Sequence, residues 1–207
     1  MLAPGAAAPD ISGTNINPKA PDITYSLATL SGKVVVVIFF AWWCPHCVNE
    51  LGILQNLWKK YQGHEVGFVA VHTESDDAHA RQFGYPNALS AATSKLTALG
   101  IQFPAVQDDT VNTIFSHYDG LGYGFPQVCI LDKDHVIHSV VSGEEPESAT
   151  DNRISLLPLE PRAIVILNLY QWGFCGPVSG QSFKTLSHRN LYPEFRDHEA
   201  AVKDLFS

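Results

Sequence analysis

A layered α/β fold with a mixed central sheet is predicted by three features of this 207-residue chain. Two continuous apolar runs, residues 34–40 and 66–71, are short and rich in β-branched side chains, as expected for strands covered on both faces. Between them, apolar residues recur at helical spacing. Further on, residues 127–132 and 136–141 flank Lys133-Asp134 as a hairpin. A strand–helix–strand unit followed by a hairpin requires parallel and antiparallel pairing within one sheet.

The elements follow in order. Residues 1–22, rich in Ala, Pro and Gly, read as an irregular lead-in, and Ser31-Gly32-Lys33 is the turn into the first strand. From Cys47, the residues Leu51, Leu54, Leu57, Trp58 and Tyr61 form one helical face, ended by Gly63. Helical spacing returns between Asp76 and Leu99, broken at Gly84-Tyr85-Pro86. A short segment with Pro104 follows, and Asp108-Asp109 caps a helix over 110–118. Residues 144–162, with Pro146, Pro158 and Pro161, read as a linker or loop. Residues 163–170 are a possible strand and 193–206 an amphipathic helix. The expected organisation is a domain over residues 1–148 and a C-terminal extension over 149–207. The extension has no assigned role and has room to pack on the same domain.

A chain with 45% hydrophobic and 16% charged residues can bury a core. Its net charge of −8 argues against a nucleic-acid-binding surface. No apolar run approaches the ~20 residues needed to cross a bilayer. The stretch from Met1 to Pro9 lacks the basic start and apolar core of a signal peptide. That leaves either a cytosolic chain or one whose leader is absent.

Of the four cysteines, two stand in Trp42-Trp43-Cys44-Pro45-His46-Cys47, with the spacing of a redox pair. The pair follows a buried strand and opens an apolar-periodic helix. A thiolate, not a thiol, attacks a disulfide. Unpaired N–H groups and the positive end of the helix dipole favour that anion at Cys44. Pro45 suits the first helical turn, and a protonated His46 adds positive charge beside the sulfur. Cys44 is therefore the expected nucleophile and Cys47 the resolving thiol. The chemistry calls for no cofactor and no metal. The alternative for a C-x-x-C is half of a zinc site, but no second C-x-x-C completes it.

Further motifs carry a resemblance. They are Gly5-x-x-Ala8-Pro9-Asp10, Leu30-Ser31-Gly32-Lys33 and the run from Phe40 through the dithiol to Glu50. Phe103-Pro104-Ala105-Val106, Gly124-Phe125-Pro126, and Ile130-Leu131-Asp132 before Val136-Ile137 follow. Over residues 3–143 the chain resembles the TlpA/ResA-like branch of the thioredoxin-like superfamily, related to AhpC/TSA proteins. The resemblance implies a thioredoxin-like three-layer fold and a thiol–disulfide oxidoreductase acting on protein thiols or disulfides with a redox partner protein. It also implies an extracytoplasmic, periplasmic location. It makes Pro126 a cis-proline facing the dithiol, with the Phe125 backbone free to pair with an extended substrate. Glu50 becomes a proton acceptor and donor for Cys47, against the simpler reading of an exposed first-turn carboxylate. Two departures stand out. Pro45-His46 is the dipeptide of strongly oxidising DsbA-like proteins, whereas many members of this branch are reductants. The usual closing helix after Gly143 is not evident.

The remaining residues invite simpler readings. Trp42 and Trp43 either shape the dithiol surface or pack in the core; Trp43 is included among the site's surroundings. Cys129 reads as an inert buried thiol and Cys175 as a free one. His72 reads as a surface histidine. With Glu74, His46 and the two thiols it offers the alternative of a copper or zinc chaperone. A peroxiredoxin-like peroxide reductase is a further alternative, weakened because Ala41 stands three residues before Cys44. A non-enzymatic interaction module acting through residues 149–207 is the last.

Overall fold

The computed structural model describes residues 3–21, 24–73, 75–118 and 124–159. These belong to the first of the chain's two units, Met1–Ile166; Leu167–Ser207 lies outside the described residues. So do Asp22, Glu74, the 163–170 strand, the 193–206 helix and Cys175.

The central sheet has the order β5 (Ala105–Gln107), β4 (Val66–His72), β3 (Val34–Phe40), β6 (Gln127–Leu131) and β7 (Ile137–Ser142). In the middle lies β3, with every residue at most 1% exposed. It pairs in parallel with β4, which pairs in parallel with β5. On its other side β3 pairs antiparallel with β6, which turns into β7. The mixed sheet and the hairpin are as expected.

Side-chain alternation along β3 divides the core in two. Val34, Val36, Ile38 and Phe40 face α1 (Pro45–Lys60) and α3 (Ala88–Leu99). Leu51, Leu54 and Leu57 of α1, Ala91, Ala92 and Leu96 of α3, and Ile154 complete that layer. Val35, Val37 and Phe39 face the other way, onto Ile11, Tyr25 and Tyr118. Phe39 lies 5.0 Å from the Tyr118 ring and 5.4 Å from Phe115. Both aromatics sit on α4 (Thr113–Tyr118), which Asp108 caps by accepting from the N–H groups of Ile114 and Phe115. The helical stretch before α3 is the short α2 (Asp77–Gln82). Gly100, at φ 69°, closes α3 in the left-handed conformation.

Leu54 is wholly buried in the α1-facing layer. Leu54→Ala is expected to cost about 2–5 kcal/mol of stability. Urea unfolding of the variant would show this as a lower midpoint with an unchanged slope.

Two expectations need correction, and a segment without an assigned element gains one. The lead-in contains β1 (Ser12–Thr14), paired antiparallel with β2 (Thr24–Ser26). The same region runs along both borders of the sheet. Ile16 N–H donates to Ala105 O, and the Asn15 side chain accepts from Ala105 N–H, at the β5 edge. At the β7 edge Gly5 N–H donates to Ile137 O and Ile137 N–H to Ala6 O. The Pro104 segment becomes a strand, β5, because its backbone completes the ladder beside β4. The supposed linker over 144–162 contains α5 (Glu147–Ser155). This is the closing helix that is not evident in the sequence after Gly143. It is bound to α1 through Asp151, which accepts from Lys60 Nζ at 2.6 Å and from Tyr61 Oη at 2.8 Å.

Candidate active site

The site forms where β3 ends. Ala41 O accepts from Cys44 N–H at 3.1 Å, turning the chain into α1. Cys44 is the N-cap and Pro45 the first helical residue, where a missing N–H costs nothing. The Cys44 Sγ accepts from Cys47 N–H at 3.3 Å, as a capping oxygen would. The chain thus spends an unpaired helix-start donor on sulfur. Both cysteines are free thiols, Cys44 6% exposed and Cys47 0%. Burial first, and then the neighbouring Cys44 sulfur, push the Cys47 thiol well above its ordinary range.

The Cys44 thiol also faces Phe125 O, at 3.9 Å. The Phe125–Pro126 peptide bond is cis, as the resemblance implied. Phe125 rests on Phe115, with ring centroids 4.8 Å apart. The resemblance thus pointed to a loop that does meet the dithiol, 81 residues away in sequence.

Glu50 is 1% exposed, so the reading of an exposed first-turn carboxylate is corrected. Its Oε2 accepts from Glu145 N–H at 3.2 Å, while Oε1 is buried without a hydrogen bond among the described residues. Burial raises its proton affinity; the Glu145 N–H opposes this, and the charges of Glu145 and Glu144 add to it.

The His46 ring is held by Glu144. The histidine side chain is 71% exposed, and Nδ1 donates to Glu144 Oε2 at 2.9 Å. Asn49 reaches the same carboxylate oxygen at 3.5 Å. These contacts hold the Glu144 carboxyl below its ordinary range, His46 contributing most. An open groove of about 620 Å³ runs between His46, Ile53, Phe125 and the 143–146 segment. Glu144, Glu145 and Asn49 were missed in sequence. The only available signal was the run Glu144-Glu145-Pro146, which looked like linker.

The two tryptophans divide between roles. Trp42 is buried against His79, Phe83 and Tyr85, whereas Trp43 is 44% exposed beside Cys44. Cys129 is fully buried, its thiol pushed up to about 12 by burial. The surface reading of His72 is corrected. It is 0% exposed, its ring meeting Gln107 Oε1 at 2.7 Å across the β4–β5 pair. Among the described residues no group of three His, Cys, Asp or Glu side chains could hold a metal ion. The chaperone reading is not favoured.

A sheet of this order, presenting an adjacent thiol pair at a helix start, puts the protein among the thiol–disulfide oxidoreductases of thioredoxin-like fold. Residues 4–140 match the AhpC/TSA family, and the chain belongs to that family. Its relatives include the thiol-disulfide oxidoreductase ResA of Oceanobacillus iheyensis, 34% identical over 79 residues. That alignment covers 38% of this chain and 41% of the relative. ResA of Bacillus thuringiensis is 25% identical over 141 residues, covering 68% of this chain and 70% of that one. Among solved structures, a thioredoxin family thiol:disulfide interchange protein from Chlorobium tepidum superposes with a TM-score of 0.60 at 21% identity. It covers 76% of this chain and 99% of that one. A secreted Mycobacterium tuberculosis disulfide oxidoreductase homologous to E. coli DsbE gives a TM-score of 0.55 at 19% identity, covering 71% and 96%. Likeness at these identities supports the fold alone. The peroxide reductase alternative is not favoured by these relatives.

Proposed function

We propose that the protein exchanges disulfides with protein cysteines through Cys44-Pro45-His46-Cys47. The observation that carries this reading is a free thiol pair whose outer sulfur caps a helix and whose inner thiol is buried. In the reducing direction the Cys44 thiolate attacks one sulfur of a substrate disulfide. The other substrate sulfur leaves and takes a proton. Glu50 accepts the proton of Cys47, whose thiolate then attacks the Cys44 sulfur and expels the second substrate thiolate. Two electrons pass from the dithiol to the substrate, and the Cys44–Cys47 disulfide remains. The oxidising direction is the same sequence reversed.

Pro126 and Phe125 form the opposite wall, where the Phe125 main chain pairs with an extended substrate. Trp43 and His46 border the reacting sulfur. A redox partner protein resets the pair after each turnover. The family resemblance supports an extracytoplasmic, periplasmic location. Among the described residues no helix is long and apolar enough to cross a membrane. The division into a 1–148 domain and a 149–207 extension is kept as part of this reading, its boundary falling within α5, whose Ile154 belongs to the core.

Equilibration in glutathione buffers of graded potential, followed by mass spectrometry, tests the core of it. A loss of two hydrogens located at Cys44–Cys47, with Cys129 unchanged, is expected. The same titration gives the reduction potential and so the direction of net electron flow. Failure of the pair to oxidise anywhere in the series would remove the reading.

A further inference from the structure

We propose that Arg153 is a positioning residue for Glu50, holding the 143–146 segment so that the Glu145 main-chain N–H stays on the Glu50 carboxylate. The inference rests on the reading in which Glu50 handles the Cys47 proton.

Arg153 sits in the last turn of α5. Its Nη1 donates to Glu145 Oε2 at 2.8 Å and its Nη2 to Oε1 at 3.0 Å. A two-point fork of this kind fixes the orientation of the carboxylate as well as its place. The main-chain N–H of the same Glu145 meets Glu50 Oε2 at 3.2 Å. Its neighbour Glu144 holds His46 and Asn49. One short connection therefore contacts three polar side chains of α1, His46, Asn49 and Glu50. The helix that grips it is itself anchored to α1, by Lys60 and Tyr61 on Asp151 and by Asn56 on Glu147.

The charges give the effect a sign. Glu50 is faced by Glu145 and Glu144 from the 143–146 segment, with Arg153 behind Glu145 on α5. Its own helix brings Cys47 and His46. Glu145 offers Glu50 a donor but also a negative charge nearby. Arg153 compensates that charge and keeps the donor in place. Loss of Arg153 therefore acts twice in one direction. An uncompensated Glu145 and a slack N–H both favour the protonated form of Glu50.

The test is titration of the Glu50 carboxyl by carbon-13 NMR in the full 207-residue chain, assigned with Glu50→Gln. Arg153→Gln is expected to move the midpoint up by about half a pH unit or more, a roughly threefold change in proton affinity. The low-pH limb of the pH–rate profile for exchange with oxidised glutathione should move with it. Arg153→Lys keeps the charge without the fork and should return most of the shift. An unchanged midpoint in Arg153→Gln overturns the proposal. Should that variant not fold, Arg153→Lys carries the test alone: a smaller upward shift supports the proposal and no shift overturns it. A midpoint that moves in a protein without exchange activity supports positioning and removes the proton-handling reading. An active protein whose midpoint stays fixed overturns positioning and keeps that reading.

Discussion

Cys44→Ser should reduce disulfide exchange with a model protein by roughly 10³-fold or more, because losing a covalent nucleophile removes the route and not a fraction of it. Cys44 is the residue of the pair with any access to solvent, and its sulfur already accepts the Cys47 N–H. A serine hydroxyl can keep that hydrogen bond, so the variant should fold. Its loss of activity would then be chemical. Cys47→Ser should behave differently. The first attack remains possible, but no thiol lies behind Cys44 to resolve the adduct. The mixed disulfide between Cys44 and substrate should accumulate, visible by non-reducing electrophoresis and mass spectrometry. Residual turnover in Cys44→Ser, or no adduct in Cys47→Ser, would assign the nucleophile elsewhere.

Glu50→Gln should slow exchange near neutral pH by about 10²-fold, within the usual range for a lost acid–base group. The deficit should shrink as pH rises and hydroxide takes over removal of the Cys47 proton. The same variant should be more stable than the parent at about pH 8. Burial raises the folded-state proton affinity of Glu50 above that of the unfolded chain. The stability linked to this group is then fully present below the unfolded carboxyl range and is lost as pH rises through the raised folded value. Glu50→Gln removes the charge that must be buried above that value. Thermal midpoints of the two proteins should diverge toward alkaline pH and converge near pH 4. A variant less stable across the whole range would contradict this account of the site. A stabilising substitution that disables the reaction would mark Glu50 as a group retained for chemistry at a cost to the fold.

How far the sequence could be read depended on whether the relevant neighbours were local. The run 34–40 declares a central strand by itself, and the C-x-x-C declares a redox pair because its helix starts within the motif. The spacing of Glu50 from Cys47 was visible too. Its burial was not, because the residues that cover and bond it arrive 95 positions later. His72 failed for the same reason: a polar residue ending a strand looks like surface until Gln107 of the neighbouring strand closes over it. α5 lacked a readable apolar stripe, since only Thr150 and Ile154 among its residues are buried. Its place is set by polar bonds to α1, which no periodicity reports. β1 and β5 are three residues each and owe their conformation to their partners.

The two sheet borders give the fold a further property. Open ladders at such edges recruit other strands and drive self-association. Here residues 5–16 occupy backbone donors and acceptors at the β5 and β7 edges. In the proposed exchange with protein cysteines, open edges would compete with the site for extended chains. Occupied borders deprive such chains of a place to zip on at random. On the proposed reading of the site, main-chain pairing is left to the Phe125 stretch that faces the Cys44 sulfur.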